Sequence, residues 1–210
     1  MAAPEIYLIT PPEVEIPAFA VRLAALLDTG LVACVRLALA SADQGRLTAV
    51  AQALRPVCHD RDVALILDTH WRLVRELGLD GVHLPDGARH VREARRALGP
   101  KLTVGAFCGT SRHAGLAAGE AGADYVSFGP VGDPGELGDG RSVEADVFAW
   151  WGEIIELPVV AEGGVTVETA RPLLPHIDFL AVGPEIWGQA DPVQALVDLA
   201  SALKTETAAR

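Results

Sequence analysis

Short apolar runs alternate with longer amphipathic stretches along the 210-residue chain. Most runs are continuous rather than alternating in polarity, which is typical of parallel strands buried on both faces. They predict eight strands, over residues 5–10, 31–37, 63–67, 81–84, 102–106, 125–128, 158–161 and 179–182. The amphipathic stretches predict helices, over residues 17–29, 43–59, 71–77, 88–98, 112–121, 144–156, 167–174 and 192–204.

The regular exchange of strand and helix predicts an α/β protein, a single (β/α)8 TIM barrel over residues 1–204. Residues 205–210 are expected to form a frayed tail. An open doubly wound sheet remains the alternative, because the closure of a sheet cannot be read from its sequence.

Two glycine turns follow the last two predicted strands, at Gly163-Gly164 and at Val182-Gly183. In such barrels the loops after strands seven and eight commonly hold a phosphate, which backbone N–H groups can bind without a charged side chain. The sequence therefore predicts a phosphate site for a small phosphorylated ligand at Gly163, Gly164, Val182 and Gly183. Glu185 lies beside this site and would repel a phosphate unless its side chain points away.

A glycine-rich segment, residues 129–140, follows the sixth predicted strand and begins with Gly129 and Pro130. Its length and composition fit a lid or a ligand-binding loop at the carboxyl end of a barrel. An ordinary surface loop fits equally well, and both interpretations stay open.

Charge and composition exclude several classes of binding partner and site. A net charge of −11 argues against general nucleic-acid binding, and the apolar runs are too short to span a membrane. Three cysteines without Cys-x-x-Cys spacing favour neither a disulfide framework nor a zinc site. Because the N-terminus also lacks the pattern of a signal peptide, we expect a cytoplasmic protein.

Three polar side chains lie on or just after predicted strands and are candidates for the chemistry. Arg36 could meet a phosphate or form an ion pair with Asp68 or another carboxylate. Asp68 could contact a ligand or a metal, although capping the helix near Trp71 is the simpler role. His83 could act on a ligand or be an interior histidine that is hydrogen-bonded to a neighbour.

Three segments together resemble the thiamine phosphate synthase and thiazole tautomerase family. They are residues 79–84 (LDGVHL), 121–131 (AGADYVSFGPV) and 158–165 (PVVAEGGV). The resemblance implies a barrel that joins a pyrimidine methyl diphosphate to a thiazole phosphate, releasing diphosphate and giving thiamine phosphate. It also implies magnesium as the cofactor, bound by two aspartates, and a thiazole phosphate held in the two glycine turns.

The family's side chains are only partly present. Thr69 and Ala88 stand where the family has its magnesium aspartates, and Phe107 and Pro184 stand at two of its serines. The matching positions are Arg36, His83, Gly129-Pro130, Gly163-Gly164 and Val182-Gly183. The resemblance therefore implies a divergent member that lacks most of the family's catalytic side chains, with Arg36 and His83 as its catalytic candidates.

Three functions are compatible with this pattern. The first is a thiamine phosphate synthase, for which the metal ligands are not identified. The second is a relative with reduced catalysis that binds a phosphorylated heterocycle and regulates or carries it. The third is a small phosphate-ligand enzyme with different chemistry.

Because Trp150 and Trp151 must face different directions on a helix, one is available for contact with a second copy in a homo-oligomer.

Overall fold

Eight parallel strands close into a barrel in the computed structural model, which describes residues 3–133 and 140–208. The strands are β1 Glu5–Ile9, β2 Val32–Leu37, β3 Ala64–Asp68, β4 Gly81–Leu84, β5 Thr103–Phe107, β6 Tyr125–Phe128, β7 Val159–Glu162 and β8 Phe179–Val182. Each strand pairs with the next, and β1 also pairs with β8, with Tyr7 opposite Ala181. This closure confirms the predicted (β/α)8 barrel and excludes the open sheet.

Helices follow the strands and cover the outside of the barrel. They are α1 Ile16–Leu27, α2 Gln44–His59, α3 Val74–Leu77, α4 Val91–Leu98, α5 Arg112–Ala121, α6 Ala145–Ile154, α7 Val167–Ala170, α8 Pro184–Trp187 and α9 Pro192–Ala208. Within residues 3–133 and 140–208, no helix has the length and apolar character needed to cross a membrane.

Several helices differ from the prediction, and α4, for example, begins at Val91 rather than at residue 88. The predicted helix at 71–77 divides into a 3₁₀ turn, Trp71–Leu73, and α3, and the predicted helix at 167–174 ends at Ala170. The helix α8 was not predicted, because one turn is too short to display a helical period. At the end of the chain, α9 continues to Ala208, into the segment expected to be frayed.

The larger core lies between the barrel and its helices. Phe128 of β6 packs edge-on against Trp151 of α6, with ring centroids 5.0 Å apart. Gly115 of α5 permits this approach, because a Cβ atom there would lie 2.6 Å from the Trp151 ring. Trp150 is half-buried and lies under the guanidinium of Arg112, so the two tryptophans do face different directions.

A second, smaller core fills the barrel lumen. Its buried members come from six strands and are Tyr7, Cys34, Ile66, Tyr125, Val160 and Ala181. Gly105 of β5 pairs with Tyr125, and a Cβ atom at Gly105 would lie 1.9 Å from the tyrosine ring. The Tyr125 side chain therefore needs a glycine beside it.

Strand alternation connects this lumen core to the candidate site. Side chains two residues apart on a strand point to the same face, so the positions two residues beyond Cys34, Tyr125 and Val160 also point inward. These positions lie at the carboxyl ends of the strands, here called the barrel mouth. They are occupied by Arg36, Ser127 and Glu162.

Candidate functional site

A buried ion pair lies at the barrel mouth. Nη1 of Arg36 on β2 is 2.9 Å from Oε2 of Glu162 on β7, with the two side chains 11% and 2% exposed. Ser127 on β6 donates its hydroxyl to Oε1 of Glu162 at 2.9 Å. The Arg36–Glu162 contact is close enough for an ion pair but is not aligned as a hydrogen bond, so Oε2 of Glu162 and Nε of Arg36 have no hydrogen-bond partner among the described residues.

Asp68 is the second carboxylate beside Arg36. Its Oδ1 lies 3.8 Å from Nε of Arg36, and its side chain is 28% exposed. Burial raises the pKa of Asp68, although the positive charge of Arg36 opposes the shift. Asp68 does not cap the helical turn that follows, because His70 holds that position and makes no capping hydrogen bond. The carboxylate therefore faces Arg36 rather than a helix N-terminus.

The two carboxylates keep Arg36 charged and also offset its charge. Burial alone would lower the pKa of Arg36, but Glu162 and, more weakly, Asp68 raise it above its ordinary value. Both are the kind of ion pair that the sequence analysis left open for Arg36. A phosphate that approaches this guanidinium must compete with two anions already beside it.

His83 lies deeper, in a chain of hydrogen bonds inside the lumen. Its Nδ1 is 2.8 Å from the hydroxyl of Tyr125, and that hydroxyl is 2.8 Å from the hydroxyl of Tyr7. Burial lowers the pKa of His83 well below its ordinary value, and Arg36 lowers it further, so the imidazole is neutral at pH 7. Its Nε2 is buried without a hydrogen-bond partner within the described part of the chain.

The first predicted phosphate turn has the backbone form that requires glycine. Gly163 and Gly164 have φ angles of 84° and 66°, in the left-handed region that residues with a Cβ atom avoid. The start of the predicted lid is bound to this turn, because the N–H groups of Val131 and Gly132 donate to the carbonyl oxygen of Gly163 at 2.9 and 3.0 Å.

The lid prediction concerns a segment that is described only in part. Gly129 and Pro130 are joined by a cis peptide bond, and a Cβ atom at Gly129 would lie 2.2 Å from the carbonyl oxygen of Glu162. The two residues therefore lie directly against the end of β7. Residues 134–139 of the predicted lid are outside the described residues.

The second predicted turn is already in contact with a carboxylate. Val182 is fully buried, and the N–H of Gly183 donates to Oε2 of Glu185 at 2.9 Å. Oε1 of the same carboxylate accepts the N–H of Val165, at 3.1 Å. The side chain of Glu185 thus points toward the turns rather than away from them.

Residues near a possible metal position do not form a cation site. Among the described residues, no three histidine, cysteine, aspartate or glutamate side chains converge as metal ligands. Asp86 is hydrogen-bonded to His90 at 2.6 Å, and Asp68 faces Arg36. Thr69, which stands at one expected aspartate, has a φ of 64° and lines a cavity of about 320 Å³ with Asp86 and His90. These residues do not fit the two-aspartate magnesium site that the resemblance implies.

The sequence analysis did not single out Ser127, Glu162 or Tyr125 as site residues. One signal was available, because each is a polar side chain within a mostly apolar strand, at a position that faces inward. The contact between Glu162 and Arg36 had no signal of its own, since it joins strands that are distant in sequence and become close only when the barrel closes.

Comparisons with known proteins give a consistent result. Residues 6–186 match the sequence profile of the thiamine monophosphate synthase family. A thiamine-phosphate synthase of Rhodospirillum centenum is 44% identical over 196 residues, which cover 92% of this chain and 94% of that protein. One of Erythrobacter litoralis is 36% identical over 188 residues, covering 87% and 88%. The structure of thiamine phosphate pyrophosphorylase from Pyrococcus furiosus covers 96% of both chains with a TM-score of 0.82 at 25% identity. The chain therefore belongs to the thiamine monophosphate synthase family.

Proposed function

We propose that this protein is a thiamine-phosphate synthase. It would join a pyrimidine methyl diphosphate to the ring nitrogen of a thiazole phosphate. The observation that carries the proposal is the 44% identity to the Rhodospirillum centenum thiamine-phosphate synthase over nearly the full length of both chains.

The reaction exchanges one bond for another. The bond between the pyrimidine methylene carbon and the diphosphate oxygen breaks, and its electron pair leaves with diphosphate. The thiazole nitrogen then forms a C–N bond to the same carbon, giving thiamine phosphate. A positive group near the leaving oxygen stabilises the charge that develops there. Arg36 is the described cation at the barrel mouth that can contribute such a charge.

Magnesium is the cofactor that the family resemblance implies, and it can bind through one or two carboxylates together with substrate oxygens. The described side chains fit it poorly, because Asp68 already faces Arg36 and Asp86 already accepts a hydrogen bond from His90. Magnesium dependence is therefore a variable to be measured for this chain.

A second candidate function is binding of a phosphorylated heterocycle without turnover. The observation that favours it is the placement of Arg36 between Glu162 and Asp68, which reduces the positive charge available to a diphosphate. Such a protein would hold the ligand and carry or regulate it.

One experiment separates the two functions. Purified protein is titrated calorimetrically with thiazole phosphate, and pyrimidine methyl diphosphate is then added, with magnesium in one sample and EDTA in another. Formation of thiamine phosphate, detected by chromatography, is the expected result. Binding without product would favour the carrier role, and the absence of both binding and product would reject both functions.

A further inference from the structure

Two backbone N–H groups at the barrel mouth converge on one carboxylate. Val165 follows the glycine turn after β7, and Gly183 follows β8, yet their N–H groups donate to the two oxygens of the same side chain, at 3.1 and 2.9 Å. These two N–H groups are here called the anion cradle. Because each oxygen of Glu185 receives one hydrogen bond, the cradle accommodates a small anion that bridges the two loops.

The anion in the cradle belongs to the protein itself. Glu185 is only partly buried, so its side chain is open to solvent on one side and could rotate out of the cradle. The next position toward β8 is Pro184, which has no N–H group to offer to a ligand. A phosphate at these turns would therefore have to displace the carboxylate of Glu185. It would also find one backbone donor fewer than if a residue other than proline stood at position 184.

We propose that Glu185 is a specificity-determining residue, which competes with the phosphate of the ligand for the N–H groups of Val165 and Gly183. The identity of that ligand, a thiazole phosphate, rests on the proposed function. In the native protein Glu185 weakens binding of the phosphorylated thiazole and leaves binding of the unphosphorylated thiazole alcohol unchanged. The preference for phosphate is therefore smaller than the two turns could give alone.

The test compares Glu185→Ala and Glu185→Gln with the native protein. Alanine removes the competitor, and glutamine keeps an oxygen acceptor while losing the charge. Glu168→Ala is the matched control, because Glu168 is an exposed glutamate in the first turn of α7, just beyond the same β7 turn, and its loss changes the net charge equally.

Calorimetry measures the affinity of each protein for thiazole phosphate and for the thiazole alcohol. The proposal expects Glu185→Ala to bind thiazole phosphate at least about 10-fold more tightly, which corresponds to one charge-assisted hydrogen-bond exchange. Glu185→Gln should show a smaller gain, and both variants should bind the alcohol within about 2-fold of the native protein. Glu168→Ala should bind both ligands like the native protein.

Inorganic phosphate gives a second measurement that does not depend on the thiazole. It should raise the thermal midpoint of Glu185→Ala more than that of the native protein, since a ligand stabilises the state that binds it. An unchanged or weaker affinity of Glu185→Ala for thiazole phosphate, with no added stabilisation by inorganic phosphate, would overturn the proposal. If alanine prevents folding, the same comparison is made with Glu185→Gln.

The outcomes separate this proposal from the proposed function. A gain in phosphate binding by the Glu185 variants, without thiamine phosphate formation by any protein, supports the role of Glu185 and rejects the synthase activity. Turnover by the native protein, with phosphate affinity unaffected at Glu185, supports the activity and rejects the role of Glu185.

Discussion

Arg36 and Glu162 are joined by a 2.9 Å ion pair although their strands, β2 and β7, are not neighbours in the barrel. Two strands, β1 and β8, separate them along the sheet. The ion pair therefore spans the lumen at the barrel mouth and connects the two halves of the chain.

Replacing one member of this pair should destabilise the protein strongly. Arg36→Met leaves the carboxylate of Glu162 buried and uncompensated, and we expect a loss of about 3–5 kcal/mol in the free energy of unfolding. Urea denaturation measures it. The double variant Arg36→Met/Glu162→Gln removes both charges and should recover most of the loss. A cost below about 1 kcal/mol for the single variant would show that the pair is effectively solvated.

The hydroxyl groups of the two lumen tyrosines should contribute differently to the stability of the protein. The hydroxyl of Tyr125 contacts both Tyr7 and His83, whereas the hydroxyl of Tyr7 contacts Tyr125 alone within the hydrogen bonds described. Tyr125→Phe therefore leaves the Tyr7 hydroxyl and Nδ1 of His83 without this partner, at about 1–3 kcal/mol for each. Tyr7→Phe should cost less, because the Tyr125 hydroxyl keeps its hydrogen bond to His83. Denaturation of the two variants under identical conditions tests this order, which equal losses would contradict.

Stability should fall in mild acid because of His83. Its pKa is lowered in the folded protein, so below about pH 6.5 the unfolded chain binds a proton that the folded chain does not. The contribution of His83 is fully present above pH 6.5 and is lost as the pH falls toward the folded pKa. Between pH 7.5 and 5.0 we expect stability to fall, by at most about 2 kcal/mol for this one group.

Chemical denaturation at several pH values measures this loss, and His83→Gln is the control because it removes the titrating ring. The variant should show a flatter dependence on pH over the same interval. Parallel curves for the two proteins would assign the acid sensitivity to other groups.

Gly105 should not tolerate even a methyl group. A Cβ atom there would lie 1.9 Å from the ring of Tyr125, and the lumen offers little room for that ring to move. We expect Gly105→Ala to cost about 1–3 kcal/mol or more in stability. Gly45→Ala is the control, since a Cβ atom there would meet one side-chain atom, Oδ1 of Asp43 at 3.2 Å, and we expect a change in stability below about 1 kcal/mol. Similar thermal midpoints for the two variants would contradict the close packing.

Replacing Thr69 with glycine should stabilise the protein. Its φ of 64° is strained for a β-branched residue, and its hydroxyl makes only a 3.5 Å contact with Asp68. Relief of the strain, less the extra entropy of glycine in the unfolded chain, should leave a gain of about 1 kcal/mol for Thr69→Gly. A loss of stability on urea denaturation would show that the hydroxyl contributes more than its contact suggests.

The sequence predicted the barrel because its strands are apolar on both faces and its helices are amphipathic. The strands Gly81–Leu84, Tyr125–Phe128 and Phe179–Val182 were predicted with the observed bounds. At β3 and β7 the prediction ended one residue early, because Asp68 and Glu162 are charged and were excluded from an apolar run. Both carboxylates lie beside Arg36, a residue from another part of the chain.

The site was predictable only as a set of positions. Arg36, Asp68 and His83 were identified as candidates because they lie on or just after strands, but their partners are set by tertiary contacts that no local pattern records. The direction of the Glu185 side chain is the clearest case. The sequence left open whether this carboxylate faces the glycine turns. The fold answers this, because it brings the N–H groups of Val165 and Gly183 to its two oxygens.

The three buried cysteines allow local opening of the barrel to be measured by thiol reactivity. Cys34 lies in the lumen, Cys58 in α2 against the outer core, and Cys108 just after β5, and all three are buried and free. Burial raises the pKa of Cys58 and of Cys108 to about 12, so reactive thiolate is scarce while the protein is closed. The rate at which a thiol reagent modifies each sulfur should therefore follow how often the structure around that cysteine opens to solvent. No cysteine has to be introduced for this measurement.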